Sequence, residues 1–409
     1  MADRSAGDEG VGREVYQRIT TFFQRHRWEE VQVEFLPFYP VPEGHIYTDA
    51  TSVGIPKSSL WKAFQHARLL FFDTLQSSPP SPASSSALIA ASTVLLLHDS
   101  EHLTAINTRK RLLLSAFPPA SPAAGSAAAV TAPRPQSSQG QGHPQHANDP
   151  LITPFTELTF LTSLLTSPLH RHTKSPHLWA HRRWLLTTYP SLIRPVSPTA
   201  SAEIAAKAAR KWARKEISTL LRAAEAHPKN YYAWTYARWM ASVQNVHFIH
   251  EDLVGWCIKH TGDVSGWSFL SWLWMTERDR YRYLTSPAAS AGQGSSADAR
   301  MAMEYRDTQA QRYNQLLRVV KYSHEIAPGH ESLWRFVGAI LTQGILSCDH
   351  AMLIIEMLRT WDRQEWPTRV ADDIVQERMF LRELMRDLDA RAAGMHVRAE
   401  DAEMVDRPP

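Results

Sequence analysis

Apolar residues recur at steps of three and four along most of the chain. Within residues 201–227, for example, they stand at Ile204, Ala208, Trp212, Leu220 and Leu221. This spacing gathers apolar side chains on one face of an α-helix, and no comparable run alternates with a period of two. We therefore predict the all-α fold class. Residues 31–35 (VQVEF) fit either a short strand or an extended lead-in to a helix, and the lead-in is the commoner outcome.

An internal repeat organises these helices. Five segments align without gaps, at residues 102–111, 175–184, 230–239, 263–272 and 330–339. Each carries a large apolar residue at the same place: Ile106, Trp179, Trp234, Trp267 and Trp334. Trp267 follows Trp234 by 33 residues, which is about the length of one helix-turn-helix repeat. We predict a right-handed superhelical stack of antiparallel helix hairpins, a tetratricopeptide-like α-α solenoid in which these five side chains are structural anchors.

The residue that opens each repeat predicts where its helix begins. Ser175, Asn230 and Asp263 carry side chains that accept a hydrogen bond from an exposed N–H of the first helical turn. Pro176 follows Ser175 at the position where a missing N–H costs nothing. With the cap fixed, the anchor four residues later lies one turn inside its helix and faces the preceding helix of the pair.

Three stretches rich in Pro, Ser, Ala and Gly interrupt the pattern, at residues 77–86, 117–150 and 286–298. Such stretches bury too little apolar surface to offset the entropy of ordering them, so we expect disorder there. The chain is thereby divided into an N-terminal helical lead-in at 1–76, a low-complexity linker at 77–86, a helical repeat domain at 87–388 and a flexible tail at 389–409.

Composition excludes several classes of protein. Lys and Arg number 44 against 41 Asp and Glu, and this net charge of +3 is too small to predict a dedicated nucleic-acid binder. The two cysteines, Cys257 and Cys348, can form neither a disulfide framework nor a four-thiolate zinc site, which fits a reducing compartment. No signal peptide and no apolar segment long enough to span a bilayer is present in the sequence, so a cytoplasmic protein without a membrane span is expected.

The repeat motif resembles that of a known family. The motif is a cap residue, three residues, tryptophan, two residues and arginine, and it is similar to the repeat of protein prenyltransferase α subunits. The resemblance rests on TKSPHLWAHRRW at 173–184, HPKNYYAW at 227–234, DVSGW at 263–267 and PGHESLW at 328–334, and it covers about residues 88–358. Its closest branch is that of the repeat-containing proteins, which lack immunoglobulin-like and leucine-rich domains.

This resemblance implies a function shared with another polypeptide. The helix hairpins would wrap a β subunit whose α/α barrel holds the catalytic zinc and the isoprenoid diphosphate, so this chain itself would bind no cofactor. The branch implies a β subunit of the Rab geranylgeranyltransferase type and transfer of a geranylgeranyl group to the cysteine of a protein acceptor. This chain would then be the non-catalytic subunit of the enzyme.

The resemblance also implies three assisting residues. Lys174 and Tyr231 match family residues that approach the isoprenoid diphosphate, where an ammonium would stabilise the negative charge of the departing group. Tyr232 stands where the family commonly has histidine, and it keeps a hydrogen-bond donor but loses a titratable group. The arginine three residues after the anchor is kept at Arg109 and Arg182. It is replaced in the later repeats by Ala237, Leu270 and Val337, which predicts altered contacts between those repeats or a changed partner surface.

Two other interpretations remain open at this point. The run His177, His181, Arg182 and Arg183 fits a metal or anion site, but without a nearby carboxylate or HExxH pattern we predict a plain helix surface and assign no metal. The whole chain also fits a tetratricopeptide-like scaffold that binds a protein or peptide and has no enzymatic role, although the family resemblance favours the prenyltransferase subunit. A prenyltransferase subunit needs one extended interface with a large partner, whereas a scaffold needs only a groove.

Overall fold

A computed structural model describes residues 2–37, 44–76, 81–119, 152–193, 201–243, 250–284, 295–363 and 372–405. Within these ranges the chain is almost entirely helical, which confirms the all-α fold class. It forms two compact units, residues 1–227 and residues 228–409.

The first unit begins with a helix, a small sheet and a second helix: α1 (Ala2–Arg25), β1 (Gln32–Leu36), β2 (Tyr47–Asp49), β3 (Ser52–Pro56) and α2 (Lys57–Gln76). It continues through the first repeats with α3 (Pro82–His98), α4 (Leu103–Ala116), α5 (Pro154–Leu165), α6 (His170–Thr173), α7 (Pro176–Thr188) and α8 (Ala202–Ala226). A 3-10 turn at Pro190–Leu192 follows α7.

The small sheet is an addition to the predicted helical lead-in. Its strand order is β1-β3-β2, with β1 parallel and β2 antiparallel to β3. Of the two alternatives at residues 31–35, the short strand is correct and the commoner helix lead-in is wrong, because Val33 pairs with Val53 and both side chains are buried. The backbone N–H of Val31 donates to Ser163 Oγ of α5 at 2.8 Å, which ties the sheet to the repeats.

Helices α1 and α2 pack closely through a glycine. A Cβ at Gly12 would stand 2.8 Å from the carbonyl oxygen of Lys62, a distance at which the two backbones would have to separate. Glycine therefore permits this close helix approach. Val15 and Ile19 of α1 and Phe71 of α2 are fully buried in the same region.

The second unit is built from helices throughout its described residues. These are α9 (Tyr231–Val243), α10 (His250–Lys259), α11 (Val264–Leu284), α12 (Ser295–Glu325), α13 (Glu331–Thr342), α14 (Cys348–Arg363) and α15 (Asp372–Val405). Helices α10 and α11 form one hairpin, and α12 and α13 form the next. Helix α15 packs against both α13 and α14.

The structure moves several predicted boundaries. Helix α3 begins inside the predicted linker, because the Ser81 and Ser84 side chains form a capping box ahead of Pro82. Helix α12 already includes residues 295–298 of the third insertion, and α15 continues through Val405 into the predicted tail. Residues 77–80, 120–150 and 286–294 of the predicted disordered stretches lie outside the described residues.

None of the described helices combines the length and the apolar character needed to cross a bilayer.

Candidate functional site

The second helices of the repeats begin at capped residues. The Ser175 Oγ and Asn230 Oδ1 atoms each accept a hydrogen bond from the backbone N–H three residues later, at 3.1 and 3.2 Å. Asp263 Oδ1 accepts from the backbone N–H groups two and three residues later, both at 3.0 Å. His102 Nδ1 caps α4 in the same way at 3.2 Å, a role that the sequence analysis missed. His330 begins α13 without a side-chain cap bond.

Neighbouring helix starts are hydrogen-bonded to each other within each unit. The Ser175 hydroxyl donates to the carbonyl oxygen of Ser100 at 3.2 Å in the first unit. In the second unit, the Lys229 N–H donates to Asp263 Oδ2 at 2.8 Å, and the Ser332 hydroxyl donates to the Thr261 carbonyl. We call this line of helix starts in each unit the cap edge.

The five anchors lie inside the helix pairs, and none is more than 3 % exposed. Trp179 and Trp267 share a further feature: each indole N–H donates to the carbonyl oxygen six residues earlier, at 2.9 and 3.0 Å. The indole nitrogens of Trp234 and Trp334 are buried without a hydrogen-bond partner among the described residues. The anchors therefore act through apolar packing at every repeat and through hydrogen bonding at two of them.

Lys174 lies on the cap edge of the first unit, directly before the cap Ser175. It ends the short helix α6, and its backbone N–H donates to the His170 carbonyl oxygen at 3.1 Å. Its side chain is partly buried. The His170 ring packs edge-on against His227 at 5.0 Å between centroids, and burial together with the charges of His170 and Lys174 lowers the pKa of His227. Lys174 thus belongs to a cluster of three basic side chains.

Tyr231 and Tyr232 are the first two residues of α9, on the cap edge of the second unit. They are 66 % and 40 % exposed, which leaves both hydroxyl groups accessible. Their rings meet edge-on at 5.6 Å between centroids. Each tyrosine can therefore donate a hydrogen bond to a group that approaches this edge.

The two repeat arginines make buried ion pairs with the next helix pair. Arg109 of α4 donates from NH2 to Glu157 Oε2 of α5 at 2.6 Å. Arg182 of α7 donates from Nε and NH2 to Glu216 of α8 at 2.5 and 2.9 Å. None of these four side chains is more than 4 % exposed. The arginine of one repeat therefore clamps the first helix of the following one.

The partners of the two arginines, Glu157 and Glu216, were not predicted from the sequence. Glu157 carried a usable signal, since it is the only charged residue of α5. Burial would raise its pKa, but the charge of Arg109 and the hydrogen bond from His181, at 2.7 Å, outweigh burial and lower the pKa to about 2. Burial lowers the pKa of His181 despite that bond. The first joint is therefore a triad of arginine, glutamate and histidine.

The second unit contains a related joint with the charges reversed. Glu277 of the second helix α11 accepts from Arg312 NH2 of the following helix α12 at 2.7 Å. Glu277 also contacts His250 Nε2 at 2.9 Å, and the Trp274 indole donates to the other nitrogen of that histidine at 2.8 Å. Leu270, which replaces the repeat arginine on α11, is fully buried.

The predicted plain helix surface at residues 177–183 is wrong for two of its four members. His181 and Arg182 are 0 % and 1 % exposed, because each has a buried carboxylate partner distant in the sequence. His177 pairs with Glu101 near the surface, and Arg183 is exposed. Within the described ranges, no group of three or more His, Cys, Asp or Glu side chains is placed to hold a metal ion.

Comparison with known proteins identifies the repeat. Residues 155–189, which span α5 to α7 and include Lys174, match the Protein prenyltransferase alpha subunit repeat. Residues 198–288 match the ECM9 middle domain and include Tyr231 and Tyr232. The predicted resemblance to the prenyltransferase α-subunit family is confirmed.

One curated relative is similar over part of its length. The Protein prenyltransferase alpha subunit repeat-containing protein 1 of Danio rerio is 25% identical over 184 residues, which are 41% of this chain and 42% of that protein. The chain therefore aligns with less than half of the curated relative.

Proposed function

We propose that this chain, which carries a protein prenyltransferase α-subunit repeat, is the α subunit of a heterodimeric protein geranylgeranyltransferase. Its partner in this proposal is a β subunit of the Rab geranylgeranyltransferase type. The pair transfers an isoprenoid from its diphosphate to the cysteine of an acceptor protein. This chain supports the reaction and holds the partner.

The observation that carries the proposal is the position of Lys174 in the matched repeat. The buried anchor Trp179 and the cap Ser175 fix the start of α7, so the preceding residue is held on a rigid element. The Trp179 indole N–H also bonds to the Thr173 carbonyl, which fixes the backbone directly before Lys174. The backbone that carries Lys174 is therefore fixed at the cap edge.

The chemistry assigned to Lys174 is electrostatic. In prenyl transfer a thiolate attacks the first carbon of the isoprenoid, the carbon–oxygen bond breaks, and the diphosphate leaves with the bonding electrons. Negative charge therefore grows on the diphosphate, and an ammonium there stabilises the transition state more than the ground state. The thiolate belongs to the acceptor cysteine, and the partner's zinc would lower the pKa of that thiol so that it loses its proton at neutral pH. Tyr231 and Tyr232 are the candidate hydrogen-bond donors of the second unit to a diphosphate.

Co-expression with the β subunit tests the proposal. The expected result is a stoichiometric complex that transfers labelled geranylgeranyl groups to an acceptor protein, while neither subunit alone does so. Failure to form the complex would contradict the proposal and favour the helical scaffold. That scaffold would bind a protein or peptide without any lipid transfer.

The variant Lys174→Ala tests the assisting role. Its complex is expected to assemble normally and to lose about tenfold to a hundredfold in kcat, since one charge-stabilising group is removed. The matched control is Lys57→Ala, which removes an exposed lysine at the start of α2 and leaves kcat unchanged. Equal kcat values for the two variants would contradict the role of Lys174.

A further inference from the structure

One face of α8 carries a row of basic residues. From residue 207 to residue 215 Lys and Arg recur at three- and four-residue steps, and Arg222 follows two turns later, which places them all on one side of the helix. The members of this basic row are Lys207, Arg210, Lys211, Arg214, Lys215 and Arg222. All six are exposed. From Lys207 to Arg222 the row extends about 22 Å at 1.5 Å per residue.

Two members of the row near its carboxyl-terminal end pair with one glutamate. Glu30 approaches Lys215 at 3.9 Å and Arg222 at 2.8 Å. On α8 itself, Glu203 precedes the row and Glu225 follows it. Lys207, Arg210 and Lys211 therefore form the strongly positive part of the row.

The second half of α8 packs against the core through buried side chains, whereas its first half is exposed. Trp212, Ile217 and Leu220 are buried, and Glu216 is held by Arg182. In contrast, none of the described side chains from Glu203 to Lys211 is buried, so this half of α8 stands away from the core. Ile204 lies there, 57 % exposed. It stands one turn before Lys207 and Ala208, on the side of the basic row.

We propose that the basic row of α8 binds the anionic surface of a lipid bilayer, with Ile204 inserted among the headgroups. Clusters of four to eight Lys and Arg residues on a helix attract acidic phospholipids, and an aliphatic side chain beside them adds apolar contact. The inference goes beyond the proposed function, because it needs neither a β subunit nor an isoprenoid.

The composition of the face favours a bilayer over a nucleic acid. Binding to single strands uses aromatic side chains for stacking, and reading of base edges uses amide side chains or arginine pairs within a groove. Among the described residues of α8, the face with the basic row carries Lys, Arg, Ser, Ala and Ile, with Glu203 and Glu225 at its two ends and without aromatic or amide groups. An evenly spaced cationic row with one aliphatic residue fits a flat anionic surface.

The experiment is sedimentation of the full chain with vesicles of phosphatidylcholine alone or with about one-third phosphatidylserine, near the anionic content of a cytoplasmic leaflet. Binding is expected only to the anionic vesicles and is expected to weaken with added salt. Each basic residue near an anionic bilayer contributes about 1 kcal/mol to binding, and roughly 1.4 kcal/mol corresponds to a tenfold change. The variant K207Q/R210Q/K211Q should therefore lower the partition coefficient between vesicles and water about a hundredfold. Glutamine preserves helix propensity, so the fold is retained.

The control is R13Q/K57Q/R68Q, which removes three exposed charges from α1 and α2 and should bind like the unaltered chain. Ile204→Ser should weaken binding severalfold, in proportion to the apolar surface lost. Equal binding to neutral vesicles, equal losses in the two triple variants, or release of the chain from vesicles by a short RNA duplex at equal phosphate concentration would each overturn the proposal.

Discussion

The joints between repeats differ between the two units. In the first unit, Arg109 on the second helix of one pair binds Glu157 on the first helix of the next. In the second unit the acid and the base change places: Glu277 is on the second helix and Arg312 on the following one. Both of these two pairs also include a histidine bound to the glutamate. The joint therefore requires that a buried charge be compensated, and either helix can carry the acid.

The largest effect is expected from Glu157→Ala. It leaves Arg109 buried without its carboxylate, which should cost about 3–5 kcal/mol of unfolding free energy. Urea denaturation would measure the loss. The control Glu101→Ala removes the surface partner of His177 and should cost less than about 1 kcal/mol.

The double variant R109M/E157L sharpens this test. It removes both charges and fills the site with apolar atoms, so it should recover most of the stability lost in Glu157→Ala. A double variant as unstable as the single one would show that the arginine's bonds to α3 matter more than charge compensation. Those bonds run from Arg109 NH1 to Ile89 O, Ser92 Oγ and Thr93 Oγ1 at 3.0–3.3 Å.

Removal of the glutamate should destabilise the chain less at the Glu277–Arg312 joint than at the Arg109–Glu157 joint. Glu277→Ala is expected to cost about 2–4 kcal/mol, because Glu277 is 9 % exposed and water reaches it. The exchange E277R/R312E should recover part of this loss. The exchange R109E/E157R should not, since it would set a carboxylate against the Ile89 carbonyl oxygen. Equal recovery in both units would contradict the difference between the joints. Thermal unfolding of Glu277→Ala, E277R/R312E, Glu157→Ala and R109E/E157R provides the measurement.

The joint of the first unit should also make stability depend on pH. The pKa of Glu157 falls from 4.5 to about 2 on folding, so the unfolded chain takes up its proton first as the pH drops. Its contribution, about 3 kcal/mol by linkage, is complete above pH 4.5 and is lost as the pH falls towards 2.

His181 acts in the same direction at higher pH. Burial lowers its pKa below 6.5, so stability begins to fall once the pH drops below that value. Urea midpoints between pH 7 and pH 5 should decline in the unaltered chain and flatten in His181→Gln. An unchanged slope in that variant would assign the decline to another buried histidine, such as His172.

The smallest effect concerns the caps. Ser175→Ala should cost about 1 kcal/mol, because it removes the helix cap of α7. His330→Ala should cost less than about 0.5 kcal/mol, since this residue begins α13 without a side-chain cap bond. Equal losses at the two positions, measured by thermal unfolding, would mean that the Ser175 hydroxyl contributes nothing as a cap.

Local signals made the helix starts predictable from sequence. A cap side chain bonds to an N–H three residues away, so Ser175, Asn230 and Asp263 could be identified without tertiary structure. The acidic halves of the joints could not, because Glu157 stands 48 residues from Arg109 and no fixed spacing connects them. The choice between a strand and a helix lead-in at residues 31–35 stayed open for the same reason, since the pairing partner β3 lies in another segment.

The net charge of the whole chain gave no indication of the basic row on α8. A net charge of +3 argued against clustered positive charge, yet six of the 44 basic residues fall on one face of α8. Helical periodicity within residues 207–222 was the signal that could have revealed it. Lys174 and Tyr231 were found by resemblance, and their contact with a diphosphate remains a prediction.

The bond from Val31 to Ser163 has a consequence for the order of folding. It joins residues 132 positions apart, and β1 must also wait for β3 before it can form a ladder. Contacts of such long sequence separation form late, after the local helix hairpins, because closing a long loop costs more conformational entropy than closing a short one. During synthesis on the ribosome, the first strand therefore waits for α5 to emerge. The amino-terminal sheet is therefore made early in synthesis but is joined to the repeats only after α5 has followed it.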